Sequence, residues 1–218
     1  MENDLRHLRQ QDAVNMSRLT GLGITLIGAG AIGSTTAVFL GKMGACGIQV
    51  FDADYVEEHN WSNQMYRDED IGKLKCTALS EVMQQFGGHT PNAIAARYED
   101  QSLTEIVISA VDSMASRNTI FRAVRGQPAV KMYVDARMGL DTLIVYTMHP
   151  QVREERSRYW DSLHTDADSL SEPCTARTVC YTPLMAAAVL CNLVKRHVND
   201  EAIPGRVVVD LATFTMIA

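Results

Sequence analysis

Gly28, Gly30 and Gly33 fit the spacing G-x-G-x-x-G. Glycines so placed let a backbone turn tightly and approach a phosphate. A helix opening just after them offers free N–H groups and partial positive charge. Asp52 follows 19 residues beyond Gly33, where an acid commonly hydrogen-bonds a ribose hydroxyl. The motif points to a nucleotide phosphate without naming the nucleotide: NAD, FAD and ATP all fit it. In the plainest reading the run is a tight strand–helix turn. Cys174 ends a polar stretch, SEPC, with Arg177 close behind. A neighbouring cation or a helix N-terminus lowers a thiol pKa and makes the sulfur a nucleophile.

These residues need a scaffold that brings them to one edge. Apolar β-branched runs predict strands over 24–27, 47–51, 93–96, 106–111, 130–134 and 143–147, with one or two closing strands after 205. Helical spacing covers most of the first 22 residues, 28–44, 72–86, 113–124 and a stretch from Pro183 to about 197. Strand and helix alternate through the first 135 residues. The expected fold class is therefore α/β: a Rossmann-like, mostly parallel sheet with helices on both faces and antiparallel strands at the C-terminal side. The expected organisation is an N-terminal helical arm over 1–22 and one domain over 23–218, with a crossover loop at about 150–182. A long loop inside a compact domain is often functional.

Composition narrows the function. In 218 residues, 20 basic against 26 acidic side chains leave a net charge of −6. That argues against a nucleic acid, which wants a cationic face. The longest apolar stretch, 184–194, contains Asn192 and is too short to cross a bilayer, which takes roughly 20 residues. No membrane partner is expected, and no secretion signal is visible at the N-terminus. The five cysteines, at 46, 76, 174, 180 and 191, are odd in number and widely spread. They read as thiols of a cytoplasmic protein rather than a disulfide framework. No C-x-x-C pair occurs, so no structural zinc site is expected.

The stretch from Phe51 to Lys75, FDADYVEEHNWSNQMYRDEDIGKLK, resembles the E1-like (ThiF/MoeB/HesA-type) activating enzymes of ubiquitin-like or sulfur-carrier proteins. The residues that carry the resemblance are Asp52, Asp54, Val56, Asn60, Gln64, the run Asp70-Ile71-Gly72 and Lys75. VDSMASRN, 111–118, adds Asp112 with Arg117 five residues later. The resemblance extends from Arg9 to the helix after Pro183. It implies adenylation of a carrier's C-terminal glycine carboxylate by ATP with Mg²⁺. Lys75 would then meet the phosphates, Asn60 add a neutral donor, Asp52 take the ribose and Asp112 hold Mg²⁺. It further implies a homodimer in which Arg9 reaches the partner's nucleotide, with Arg6 second. Cys174 would form a thioester on the crossover loop, with Cys180 as fallback, and pass the carrier to an E2-like or sulfur-transfer acceptor. Independently of the resemblance, Asp135-Ala136-Arg137 is expected to follow the fifth strand at the carboxyl edge of the sheet, where ligands bind in open α/β sheets, so that Arg137 lines the path of the substrate tail. One departure stands out: many members carry an arginine where this chain has Asn63, with Arg67 the nearest replacement.

Each residue also has a plainer reading. Lys75 would be a solvated helix lysine, Asp112 an N-cap, Asn60 a turn residue, Arg9 an exposed helix arginine and Arg137 an ion-pair partner of Asp135. Cys174 would be an inert cysteine, with transfer going directly from adenylate to acceptor, and Cys46, Cys76 and Cys191 read as packing residues. Three other functions stay in view: an NAD-dependent oxidoreductase, a non-catalytic E1-like scaffold subunit, and an enzyme that activates a carboxylate on tRNA, which the net charge disfavours.

Overall fold

The computed structural model describes residues 5–87, 89–163 and 178–218. The apolar runs become β1 (Gly23–Ile27), β2 (Gly47–Phe51), β3 (Asn92–Ile94), β4 (Ile106–Ser109), β5 (Met132–Met138), β6 (Thr142–Met148), β7 (Arg206–Asp210) and β8 (Thr215–Ile217). They form one sheet in the order β3-β2-β1-β4-β5-β6-β7-β8. The first five strands are mutually parallel, and β6, β7 and β8 each pair antiparallel with the strand before. This is the expected mostly parallel sheet with antiparallel strands at its C-terminal side.

Among the described residues six α-helices accompany it: α1 (Met16–Gly21), α2 (Ala31–Met43), α3 (Lys75–Gly87), α4 (Met114–Gly126), α5 (Arg153–Trp160) and α6 (Tyr181–Val198). Strand alternation sorts the core into two layers. Ile106, Ile108, Met132 and Val134 pack on one face with Leu40, Leu79, Leu190 and Val194 from α2, α3 and α6. Val107 and Tyr133 point to the other face and meet Phe121, Val124 and Tyr159 from α4 and α5. Each fully buried leucine or isoleucine here contributes about 1.5–3 kcal/mol.

Several boundaries move for local reasons. The first 22 residues do not make one helix. A 3-10 turn, Leu5–Gln10, precedes α1, and Asn15 caps α1 by accepting from the Arg18 N–H. Val14, Leu19 and Leu22 are buried in the large core, so this segment packs on the sheet from Val14 onward. β5 runs to Met138, which puts Asp135, Ala136 and Arg137 inside the strand rather than after it. α6 starts at Tyr181, so Pro183 sits in its first turn, where a missing N–H costs nothing.

The connection from β2 to α3 folds back on itself. Val56 N–H donates to the Lys73 carbonyl (2.9 Å), Gly72 N–H to Val56 (2.8 Å) and Lys75 N–H to Asp54 (2.9 Å). Gly72 takes a positive φ of 84° in this turn, which glycine adopts without strain. Beneath it lies the fully buried Asp70 carboxylate. It accepts from the Arg67 N–H (2.9 Å), from Arg67 Nε and Nη2 (2.8 and 2.7 Å) and from Lys73 Nζ (3.0 Å). Burial works against ionisation, but the Arg67 side-chain and backbone donors and the Lys73 ammonium outweigh it and hold the Asp70 carboxyl at about 2.

A depressed carboxyl stabilises the fold above its unfolded pKa of ~3.9 and loses that contribution as pH falls toward the folded value. Asp70→Asn is therefore expected to lower unfolding free energy at neutral pH by about 1–3 kcal/mol. Urea titrations of the variant should also lose the part of the acid destabilisation that the parent shows between pH ~4 and ~2.

Candidate functional site

The carboxyl ends of β1 and β2 lie side by side, with Ile27 opposite Phe51. Gly28 continues from β1 with φ 97°, and its N–H donates to the Phe51 carbonyl (2.9 Å). A Cβ on Gly33 would lie 1.9 Å from the Gly28 carbonyl oxygen, so helix and turn touch backbone to backbone. A Cβ on Gly30 would meet nothing within 4 Å. The three glycines thus serve a turn, a close packing contact and an open approach. α2 starts at this loop with Gly30 as N-cap and no side-chain cap, which leaves its first N–H groups for an anion.

Asp52 closes the loop from the β2 side. Its carboxylate accepts from the Ala29 N–H (2.7 Å) and the Asp54 N–H (2.8 Å). Burial is the main influence on this carboxyl and pushes it above the ordinary aspartate value, against the pull of those two N–H groups and Lys75. Tyr66 donates to the Ala29 carbonyl (2.6 Å), and Met65 N–H donates to Ser34 Oγ (3.1 Å). The 60–66 segment is therefore pinned across the start of α2. Sequence reasoning missed Tyr66, and nothing in the residues separates it from Tyr55 and Trp61 of the same stretch.

Lys75 opens α3 with 9% of its surface exposed. Its ammonium lies 3.5 Å from the Asp54 carboxylate, whose side chain is 63% exposed. This long, one-sided pair leaves a sheltered cation available, so Lys75 is not a solvated helix lysine. Asn60 is buried in a short turn where its Oδ1 accepts from the Glu57 N–H (3.0 Å). Its amide N–H groups make no hydrogen bond among the described residues. The buried carboxamide oxygens of Asn63 and Gln64 likewise have no partner there. Two orphaned acceptors beside an uncapped helix start fit a polar ligand better than an empty turn. Arg67 does not replace the missing arginine at position 63. Its guanidinium is committed to Glu69, Asp70 and Glu81.

Asp112 follows β4, past Ala110, whose N–H donates to the Ile27 carbonyl (2.8 Å). It is not the N-cap of α4: Ser113 fills that role and accepts from the Ser116 N–H. The exposed Asp112 carboxylate is thus left for a ligand. Its backbone is fixed by the buried Arg117, which donates to the carbonyls of Val111 and Asp112 and pairs with Asp135 (3.1 Å). A single carboxylate suits Mg²⁺, which binds through one or two carboxylates plus substrate phosphates. Among the described residues no cluster of three or more histidine, cysteine or acidic side chains is placed for a metal.

Arg137 pairs with Asp135 (2.7 Å), donates to the Ser162 carbonyl (2.9 Å) and hydroxyl (3.0 Å), and stacks on Tyr146 at 4.5 Å. Its guanidinium is thereby tied to the end of α5. Arg9 is exposed. Its turn packs at the far end of α2, where Gln10 donates to the Met43 carbonyl (2.5 Å), about 20 Å from the glycine loop along a 13-residue helix. Within one chain Arg9 does not join the loop. Cys174 and Arg177 fall outside the described residues. Cys180 is exposed just before α6. Burial pushes the Cys76 thiol up to about 11 and Cys191 up to about 12, and raises Cys46 as well.

Residues 3–192 match the ThiF family along their whole extent. The chain belongs to the ThiF family. The "Ubiquitin-like modifier-activating enzyme 5" of Dictyostelium discoideum is 29% identical over 128 residues, 50% of this chain and 34% of that protein. The "Adenylyltransferase and sulfurtransferase uba4" of Aspergillus clavatus is 25% identical over 114 residues, 47% of this chain and 23% of that protein. The chain spans about a third of the first relative and about a quarter of the second. Among solved structures, Escherichia coli MccB with ATP superposes with a TM-score of 0.76 at 18% identity, covering 99% of this chain and 71% of that one. PaaA gives 0.75 at 16%, over 98% and 68%. These two likenesses speak for the ThiF/MoeB fold. Among the described residues no helix is long and apolar enough to cross a membrane.

Gly33→Ala is expected to force the loop open and weaken ATP binding by tenfold or more in calorimetry. Gly30→Ala is expected to keep the fold and lose affinity through ligand contact alone.

Proposed function

We propose that this ThiF-family chain adenylates the C-terminal glycine carboxylate of a ubiquitin-like or sulfur-carrier protein. The observation that carries the reading is the sheltered Lys75 ammonium, loosely paired to Asp54 at the same sheet edge as the uncapped glycine loop. The rival reading, a dinucleotide oxidoreductase, assigns no role to that cation. Support also comes from the activating-enzyme relatives and from the fold of MccB, which was solved with ATP and, separately, with AMPCPP and MccA.

In the proposed reaction a carboxylate oxygen attacks the α-phosphorus of ATP, and the bond to the β-phosphate oxygen breaks to release pyrophosphate. Charge gathers on phosphate oxygens, so catalysis rests on positioned donors and cations. The first N–H groups of α2 face the phosphates, Lys75 supplies the cation and the free amide of Asn60 a neutral donor. Asp52 accepts from a ribose hydroxyl, and Asp54 and Gln64 complete the nucleotide contacts. Asp112 would hold Mg²⁺, which neutralises phosphate charge when bound. Arg9 acts from the partner in a homodimer, and Arg137 borders the path of the incoming tail. The Cys174 thiolate then attacks the acyl carbon and displaces AMP. The thioester passes the carrier to an E2-like or sulfur-transfer acceptor in a cytoplasmic setting.

One observation favours a second reading, a non-catalytic scaffold subunit: Asn63 brings no charge and Arg67 is spent on three carboxylates. ATP–pyrophosphate exchange decides between the two. With a ubiquitin-like carrier ending in glycine, exchange is expected in the parent chain, reduced at least 100-fold by Lys75→Ala and retained by Cys174→Ala. Absence of exchange with every carrier tried while ATP still binds would support the scaffold. Exchange unaffected by Lys75→Ala would remove the assignment of that residue.

A further inference from the structure

A concavity with three arginines in its lining lies between α4 and α5, on the layer opposite α2 and α3. It is a cleft of about 310 Å³ lined by Phe121, Arg125, Arg153, Arg156, Ser157 and Trp160. Arg153, Arg156 and Trp160 share one helical face, at i, i+3 and i+7. Among the described residues no carboxylate lines the cleft. Arg125 stacks over Phe121 at 5.2 Å, and Arg156 donates to the Pro150 carbonyl at 2.7 Å. None of the three arginines has an acidic partner among the described residues. The nearby Glu155 is committed to His149. Trp160 packs against Phe121 at 5.8 Å yet keeps about half its surface exposed. Three guanidiniums without an acidic partner among the described residues line one cleft with a half-exposed indole, in a chain of net charge −6.

The cleft is separate from the nucleotide edge. α4 begins next to Asp112, and Arg125 lies 11 residues along it, about 17 Å by helix rise. Guanidinium forks match carboxylates in paired geometry, and an exposed indole accepts an apolar or planar side chain. The volume suits a few side chains rather than a duplex, and the overall negative charge opposes a polyphosphate.

We infer that the α4–α5 cleft docks an acidic segment of a protein partner, with carboxylates on Arg125, Arg153 and Arg156 and an adjoining side chain on Trp160. This surface is independent of the adenylation chemistry and works whether or not that chemistry is as described.

The test uses the emission of Trp160 in a Trp61→Phe background, since the chain has two tryptophans, with hexaglutamate as the probe. Saturable quenching is expected, weakened at least tenfold by Arg153→Glu and by Arg125→Glu, and weakened by added salt. Hexalysine should not bind. Neither arginine's side chain donates a hydrogen bond to the backbone among the described residues, and an unchanged circular dichroism spectrum and unfolding midpoint in both variants report an intact fold. Absence of saturable quenching by hexaglutamate, or an affinity indifferent to both charge reversals, overturns the proposal. Tighter binding of an eight-residue oligothymidylate or of inorganic phosphate overturns the choice of an acidic peptide as occupant.

Discussion

The structure hinges on two backbones meeting at the mouth of the sheet. The Cβ position of Gly33 falls 1.9 Å from the Gly28 carbonyl, so α2 begins closer to β1 than any side chain allows. That contact sets the direction of the first free N–H groups of α2. The backbone of Ala29 is then held on both sides of its Cα, its N–H on Asp52 and its carbonyl under the Tyr66 hydroxyl. Groups fixed before a ligand arrives need no reorganisation when charge develops, and this is where polar sites gain most of their effect.

The remaining parts are brought to that mouth by elements with their own stabilising interactions. Asp70, Arg67 and Lys73 close the connection after β2, and the closure delivers Lys75 beside Asp54. Arg117 clamps the backbone at 111–112 and leans on Asp135, which fixes where Asp112 stands. Asp135 also receives Arg137 and the Tyr159 hydroxyl, so one buried carboxylate ties the sheet to the segment that leaves α5. Removing a partner from such a buried network leaves an uncompensated charge and costs more than the pair itself contributes.

Much of this was legible in the residues. The alternation of β-branched runs with helical spacing predicted the parallel strands, because a central strand buried on both faces must be apolar throughout. The glycine triplet predicted its own turn for the same steric reason. Boundaries were harder. Asn15 breaks the first helical stretch because its side chain caps α1, and β5 runs on through Asp135 and Arg137 because arginines and a tyrosine satisfy their charges inside the sheet. Propensity sees neither, since both depend on partners far along the chain. Arg67 looked like a substitute for the missing arginine at 63; only the fold reveals three carboxylates around it. The α4–α5 cleft was invisible because its cations come from two helices separated by two strands.

The central claim is that this site directs a carboxylate to the α-phosphorus of ATP. The most direct measurement is ³¹P NMR of products formed from ATP and a glycine-ending carrier whose terminal carboxylate is labelled with ¹⁸O, in the presence of a thiol acceptor. The account predicts AMP and pyrophosphate, with the label carried by AMP. ADP and inorganic phosphate, or label in the phosphate, would contradict it.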